Sequence, residues 1–365
     1  VKVIRLSIER FRSYERLELT FPKGNQFFLG PNGSGKTNLI EALSLLSLGK
    51  SCLRADPEDM VRFGEDFFRL RVVAELDGGK ERTLEYVWQS LPRRQSATFV
   101  DDIRTPLLQF IGALPTVTFL PEDLALFSGP PAKRRAFLDM LLSQLEPSYA
   151  GLRIEYERLL KQRGALLRRI ADRVSDLSEL DLWDERLAEA GAKIQARRSA
   201  IAAGFTADIG SVVKSLGEGA LEGSVFVYER STTSSDVKSI VSELRTLLRS
   251  SRDRDILLQS TSAGPHRDDW HILESGRPIE RFLSRGQQRS YLVALILESA
   301  ALLGEARSEK PIILLDDVLS ELDDHHQDAL LTSLRDHQVL VTSAHPVREK
   351  GLTVWHVGEG RVTKA

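Results

Sequence analysis

An α/β fold in two lobes is what this 365-residue chain predicts. One lobe is a mixed sheet with helices, and the other is largely helical. Three observations carry the prediction. A glycine-rich loop at residues 30–37 stands between a short apolar strand and a stretch with helical period. A second apolar strand, near the other end of the chain, stops at a pair of aspartates. Between them lies a long segment whose apolar residues recur at helical spacing.

Taken in order, Val3–Ile8 and Leu17–Phe21 alternate or run apolar over short spans and read as strands. Gln26-Phe27-Phe28-Leu29 is a short buried strand stopped by Gly30. From Lys36 the period becomes helical, with Leu39, Ile40, Leu43 and Leu46 on or near one face. Phe67–Leu76, Glu81–Trp88 and Ala97–Val100 are further strands, and Asp77-Gly78-Gly79 turns the first pair into a hairpin. Pro130 and Pro131 precede a helix start near Lys133. Leu152, Tyr156, Leu159, Leu166 and Ile170 form one stripe, and Trp183, Leu187, Ala190, Ile194, Ile201 and Phe205 form another. The two stripes predict an antiparallel helical hairpin with arms of about 25 residues. Its helices are read either as a protruding arm or as core helices of the second lobe, and both readings can hold together. Val225–Tyr228 reads as a strand among loops, and Val237–Ser250 as a helix. Pro311-Ile312-Ile313-Leu314-Leu315 reads as a buried parallel strand. The divisions are placed at 1–113 and 279–365 for the first lobe, and 114–278 for the second.

Composition narrows the function. Charged residues are 28% of the chain, and 50 Lys+Arg against 52 Asp+Glu leave a formal charge of −2. No overall basic field exists, so contact with nucleic acid has to come from local patches. The single cysteine, Cys52, excludes a disulfide framework and fits a reducing cytosol. Val1–Arg10 lacks the apolar core of a signal peptide. No apolar run reaches the roughly 18 residues a membrane span needs. The expectation is a cytoplasmic protein without a membrane partner.

Gly30-Pro31-Asn32-Gly33-Ser34-Gly35-Lys36-Thr37 fits the Walker A pattern. Its glycines let the backbone curl, so that successive N–H groups point at phosphate oxygens. The helix that follows adds its positive end. Lys36 bridges the β- and γ-phosphates, and Thr37 places a hydroxyl on Mg²⁺. The bound nucleotide expected here is ATP. Asp316 and Asp317 end the apolar strand where open α/β sheets bind ligands. Asp316 is assigned to Mg²⁺, and Asp317 to orienting or deprotonating the attacking water. Lys36 and Asp316 lie 280 residues apart (316 minus 36), so the two chain ends build one site and the middle is a second lobe.

The third element is Phe282-Leu283-Ser284-Arg285-Gly286-Gln287-Gln288-Arg289-Ser290, ahead of an apolar helix from Tyr291 to Leu303. Ser284 is a natural N-cap, and Gly286 permits close approach. A hydroxyl, free N–H groups and a helix dipole there suit an anion. The segment resembles the ABC signature motif. Ser320-Glu321-Leu322-Asp323 resembles the D-loop that crosses ABC dimers.

With these motifs in place, the chain resembles the RecF family of ABC/SMC-like ATPase heads, without long coiled coils. Phe11-Arg12-Ser13-Tyr14, Phe119–Leu124, Gly129-Pro130-Pro131, Arg134–Asp139, Gly264-Pro265-His266-Arg267-Asp268-Asp269 and Leu315–Asp323 carry the likeness. The resemblance implies that Ser284 meets the γ-phosphate of ATP held by a second copy, and that Arg12 reaches toward the nucleotide. Asn38, Gly286 and Gln287 complete the nucleotide-contacting set. It also implies an ATP-driven homodimer on double-stranded DNA near single-strand gaps. That dimer would serve replication, recombinational repair and the SOS response at the nucleoid, with RecR and RecO as partners and RecA loaded indirectly. A weak, DNA-stimulated ATPase is expected, because Asp317 is one methylene shorter than the glutamate usual in ABC ATPases. The switch histidine of such domains falls near Ser343 or His345, and its assignment stays open. Arg54 resembles an arginine of SMC-like heads that touches nucleotide or DNA. Lys133, Arg134 and Arg135 form a basic cluster advanced as a DNA contact, and Arg93-Arg94, Arg168-Arg169 and Arg197-Arg198 form others. Two other functions compete: a transporter's nucleotide-binding subunit, and a scaffold that uses ATP only as dimer glue.

Overall fold

The computed structural model describes residues 1–218, 221–346 and 352–365, with the side chains of Arg285 and Glu321 outside the description. Two compact units result. The first comprises Val1–Leu124, Ser215–Glu218 and Ser284–Ala365, and the second Ala125–Lys214 and Gly219–Leu283.

The first unit holds two sheets. The antiparallel one has the order β2-β1-β4-β5-β6-β7. Its strands are β1 (Lys2–Phe11), β2 (Tyr14–Thr20), β4 (Phe67–Glu75), β5 (Glu81–Gln89), β6 (Gln95–Val100) and β7 (Ile103–Arg104). The alternation in β4 and β5 puts Phe68, Leu70, Val72 and Leu84, Tyr86, Trp88 on the buried face. The other sheet has the order β15-β14-β3-β13-β12-β8. It contains β3 (Gln26–Leu29), β8 (Thr116–Phe119), β12 (Ile312–Asp316), β13 (Val339–Ser343), β14 (Thr353–Gly358) and β15 (Arg361–Lys364). All its pairs are parallel except β14–β15. Strands β8, β12 and β13 are buried at every residue, as expected when both faces of a parallel sheet are covered. Helix α1 (Lys36–Leu48) is buried along most of its length. Its Leu39, Ile40, Leu43 and Leu46 share one core with Leu6 and Phe68 of the first sheet and with Leu314 and Leu340 of the second.

The second unit contains α2 (Pro131–Leu145), α3 (Pro147–Ala171), α4 (Leu180–Ser215), α5 (Val237–Ser250) and α6 (Arg252–Leu258). It also carries a sheet of order β11-β10-β9, made of β9 (Val225–Glu229), β10 (Asp269–Glu274) and β11 (Arg277–Pro278). Phe137, Phe205, Phe226 and Trp270 stack at its centre, with ring centroids 4.5–5.9 Å apart. Helices α3 and α4 run 25 and 36 residues and are core helices of this unit. Leu166, Leu167 and Leu180 pack together at their junction, and Arg163 of α3 is bonded to Asp184 of α4. Helices α7 (Arg285–Arg307) and α8 (Asp324–Ser333) return the chain to the first unit.

The divisions at 124/125 and 283/284 lie later than the 113/114 and 278/279 suggested by the sequence. Strand β8 is the reason for the first shift, because it pairs with β12 inside the first unit. The helical turn Ile279–Arg281 accounts for the second, since it stays with the small sheet.

Candidate nucleotide-binding site

The loop after β3 is shaped by its glycines and by what crowds them. A Cβ on Gly30 would meet the Val357 carbonyl oxygen at 2.2 Å, so only glycine leaves room for β14 beside the loop. Gly35 has φ +103°, and a Cβ there would meet Ser13 Oγ at 2.7 Å. Tyr14 donates its hydroxyl to the Gly35 carbonyl (3.0 Å), and Asn38 Nδ2 donates to Ser13 Oγ (2.9 Å). The loop is thereby braced from β1 and β2. Lys36 folds over it and donates Nζ to the carbonyls of Gly30 (2.7 Å) and Pro31 (2.9 Å). Burial lowers the Lys36 pKa, while the carboxylates of Asp317 and Asp316 pull it up. Ser34 Oγ is buried and has no hydrogen-bond partner among the described residues. The loop therefore presents a cation and an unsatisfied hydroxyl, the donors an oxyanion requires.

The acidic half comes from the opposite end of the chain. Asp316 Oδ2 accepts from Thr37 Oγ1 at 2.8 Å, which joins the two motifs directly. Asp316 Oδ1 accepts from Thr342 Oγ1 at 2.5 Å, and Asp317 N donates to the same Thr342 Oγ1 at 3.0 Å. Burial pushes the Asp316 carboxyl up, and its bonds to Thr342 and Thr37 oppose that. Asp317 takes up the left-handed region, with φ +50°. Its Oδ1 is buried and without a partner among the described residues. Two hard oxygen donors 2.8 Å apart, next to a second carboxylate with an unsatisfied oxygen, fit Mg²⁺.

Thr342 is a site residue that the sequence analysis does not single out. The signal was present, a hydroxyl one residue before the end of an apolar strand, but only the sheet order makes it a partner of Asp316. Strand β13 lies between β3 and β12, so its tip stands between the two motifs. Ser343 instead accepts Gly30 N at its carbonyl (3.3 Å) and His345 N at its Oγ (3.1 Å).

Arg12 has partners of its own beside the loop. It makes a two-toothed pair with the fully buried Glu41 of α1 (both 2.8 Å) and donates to the Asp59 carbonyl (2.8 Å). The bond to Glu41 raises its pKa further. Glu41, unremarked in the sequence, also accepts from Ser51 Oγ at 2.5 Å. Arg12 thus ties the N-terminal strands to the helix behind the loop.

Ser284 caps α7 in a reciprocal box. Gln287 N donates to Ser284 Oγ (3.2 Å), and Ser284 N donates to Gln287 Oε1 (3.1 Å). Ser284 is exposed, and an added Cβ on Gly286 would meet no atom nearer than Ser284 Oγ at 3.8 Å. The tip is open to a partner surface.

A family profile described as RecF/RecN/SMC N terminal domain matches residues 2–352. The DNA replication and repair protein RecF of Heliobacterium modesticaldum is 35% identical over 348 residues, which is 94% of this chain and 93% of that one. The chain belongs to the RecF family. Two solved structures described as the recombination mediator protein RecF in the RecFOR pathway superpose on it. The one with ATPrS has a TM-score of 0.92 at 27% identity over 99% of this chain and 97% of that one. The one with ATP has a TM-score of 0.90 at 28% identity over 100% and 97%.

Within this RecF fold the cations advanced for DNA separate clearly. Arg54 is exposed, on a left-handed residue with φ +60°. Lys133 is half-buried in the first turn of α2. Arg134 is a structural tie, which corrects its assignment to DNA. It is buried, pairs with both Asp269 oxygens (2.6 Å each), and donates to the Leu126 and Gly129 carbonyls. Arg135 donates to the Asp268 carbonyl (2.7 Å), and burial lowers its pKa.

The Gly264–Asp269 segment is structural as well. His266 Nε2 faces the Thr261 carbonyl (3.0 Å), and Nδ1 faces Tyr156 Oη (2.7 Å). A carbonyl only accepts, so Nε2 carries the proton and Nδ1 accepts from tyrosine. Burial pushes the His266 pKa down to about 4 from 6.5. The unfolded chain therefore binds a proton between those values and the folded one does not. Stability from this group is complete above pH 6.5 and falls as pH drops toward about 4, by about 3 kcal/mol. His266→Gln should flatten that slope, as read from urea unfolding of both proteins at pH 7 and pH 4.5.

Proposed function

We propose that the chain is an ATP-driven switch of recombinational repair, which closes into a homodimer on double-stranded DNA near gaps and reopens on slow hydrolysis. The observation that carries the reading is the 2.8 Å bond between Thr37 and Asp316, which brings the glycine-rich loop and the aspartate pair together from residues 279 apart. Membership of the RecF family favours this over a transporter subunit. The solved relatives described with ATPrS and ATP support ATP as the ligand. The RecFOR pathway to which those relatives belong supports RecR and RecO as partners, and the family resemblance adds RecA as the indirect beneficiary.

In this mechanism Lys36 releases the two loop carbonyls and takes phosphate oxygens, while Ser34 and the loop N–H groups supply further donors. Mg²⁺, held through Thr37 and Asp316, would offset phosphate charge. Asp317 orients the attacking water through its unsatisfied oxygen and accepts its proton. The P–O bond to ADP then breaks. Ser284 of a second copy donates to the γ-phosphate, so ATP binds the closed dimer better than the monomer and shifts the population toward it.

The exposed Ser284 tip provides the test. Ser284→Arg should bind ATP as monomer within about twofold of wild type. A bulky cation at the interface should weaken ATP-driven dimerisation by about a hundredfold or more. Sedimentation velocity with ATP, ADP or neither reads both states, and a variant that dimerises normally with ATP would disprove the trans contact. Phosphate release with and without gapped DNA separates an enzyme from a scaffold.

A further inference from the structure

Ser290 lies six residues beyond Ser284 on α7, and Asp323 lies six residues beyond Asp317. One imidazole joins them. Ser290 Oγ is 2.7 Å from His326 Nε2, and His326 Nδ1 is 2.8 Å from Asp323 Oδ1. The carboxylate only accepts, so Nδ1 carries the proton and Nε2 accepts from the Ser290 hydroxyl. Serine, histidine and aspartate in this order have the spacing of a hydrolase triad. Ser290 is 0% exposed inside a helix, however, and no substrate can reach it. The arrangement is mechanical.

Its two ends are the parts of the first unit that a second copy has to meet. Asp323 caps α8 by accepting His326 N (2.9 Å), and Gln327 Nε2 donates to the Leu319 and Leu322 carbonyls (2.7 and 3.0 Å). The loop after Asp317 and the start of α8 therefore form one piece. His326 fastens that piece to α7, whose tip is Ser284. Helix α7 is itself anchored by the fully buried Tyr291, Val293, Ala294 and Leu295. We propose that His326 is a positioning residue that holds the Ser284 tip and the 317–323 loop in register, so that both engage a second copy together. The proposal rests on the dimer reading above.

The test uses the full chain. Ser290 Oγ also lies 3.5 Å from Glu218 Oε1, so His326→Ala leaves the hydroxyl an acceptor and should fold. Its KM for ATP should stay within twofold while kcat and dimer affinity fall by about tenfold. His326→Gln, which keeps an acceptor for Ser290, should restore most of the loss. Ser290→Ala should copy His326→Ala, and the double variant should be no worse than either, the mark of one shared interaction. Should His326→Ala melt early, Ser290→Ala carries the same comparison. Imidazole nitrogen NMR of wild type should show the proton on Nδ1. Additive losses, no rescue by glutamine, or wild-type dimerisation in His326→Ala would overturn the proposal and leave the dimer reading standing. Wild-type protein that stays monomeric with ATP overturns the dimer reading, and the proposal with it.

Discussion

Lys36→Ala is expected to lose ATP binding by about a hundredfold or more and to lose ATP-dependent DNA binding in the same step. The ammonium is held inside the loop by two carbonyls, at 2.7 and 2.9 Å, and burial lowers its pKa against the opposing pull of Asp317 and Asp316. Alanine removes the single side-chain cation that the loop turns toward phosphate. A charge-assisted bond to phosphate contributes about 1.5–3 kcal/mol, and in the proposed site Lys36 would meet more than one oxygen. The fold should tolerate the change, because α1 is held by Leu39, Ile40, Leu43 and Leu46 rather than by its first residue. Isothermal titration with ATP and Mg²⁺, beside a melt without nucleotide, separates lost affinity from lost structure. An affinity within tenfold of wild type would remove Lys36 from the site.

Arg163→Ala should destabilise the second unit by about 3–5 kcal/mol while leaving ATP affinity unchanged within twofold. Arg163 is 0% exposed and donates Nε to Asp184 (2.7 Å) and Nη1 to Asp255 (2.7 Å) and Thr261 (2.9 Å). Its loss takes a cation from two buried carboxylates and strands Asp255. Asp184 keeps Arg252 at 2.6 Å, whereas among the described residues Asp255 keeps only neutral donors such as Ser262 N at 3.0 Å. The penalty comes from the abandoned charges more than from the vanished pair, so Asp255→Asn in the same background should recover part of it. A melt should show the transition of this unit about 10 °C lower. A shift below about 2 °C would mean that water reaches these carboxylates.

The glycine-rich loop, the aspartate pair and the capped helix tip were legible because each is a contiguous run whose chemistry demands those residue types. Strands β4 and β5 and the long helices were equally legible, since their burial follows a simple period. The β8 and β14 strands were not, being short segments whose partners β12 and β3 lie far along the chain, and β15 joins the sheet only through β14. Burial of charge was also hidden. Arg134 reads as a basic surface residue until Asp269, 135 residues on, is folded against it. Arg12 reads as a nucleotide ligand, and its pair with Glu41 is visible only once α1 is folded against the N-terminal strands.

The amino-acid sequence alone predicted a loop suited to phosphate, a strand end suited to a divalent metal and a helix tip suited to an anion, because those features are built from local backbone curvature and neighbouring side chains. Only the tertiary structure decided which distant groups complete them: Thr342 on Asp316, Glu41 on Arg12 and His326 between Ser290 and Asp323. The reason is physical. A polar side chain taken out of water must find a partner, and which partner is within 3 Å depends on strand order and helix packing.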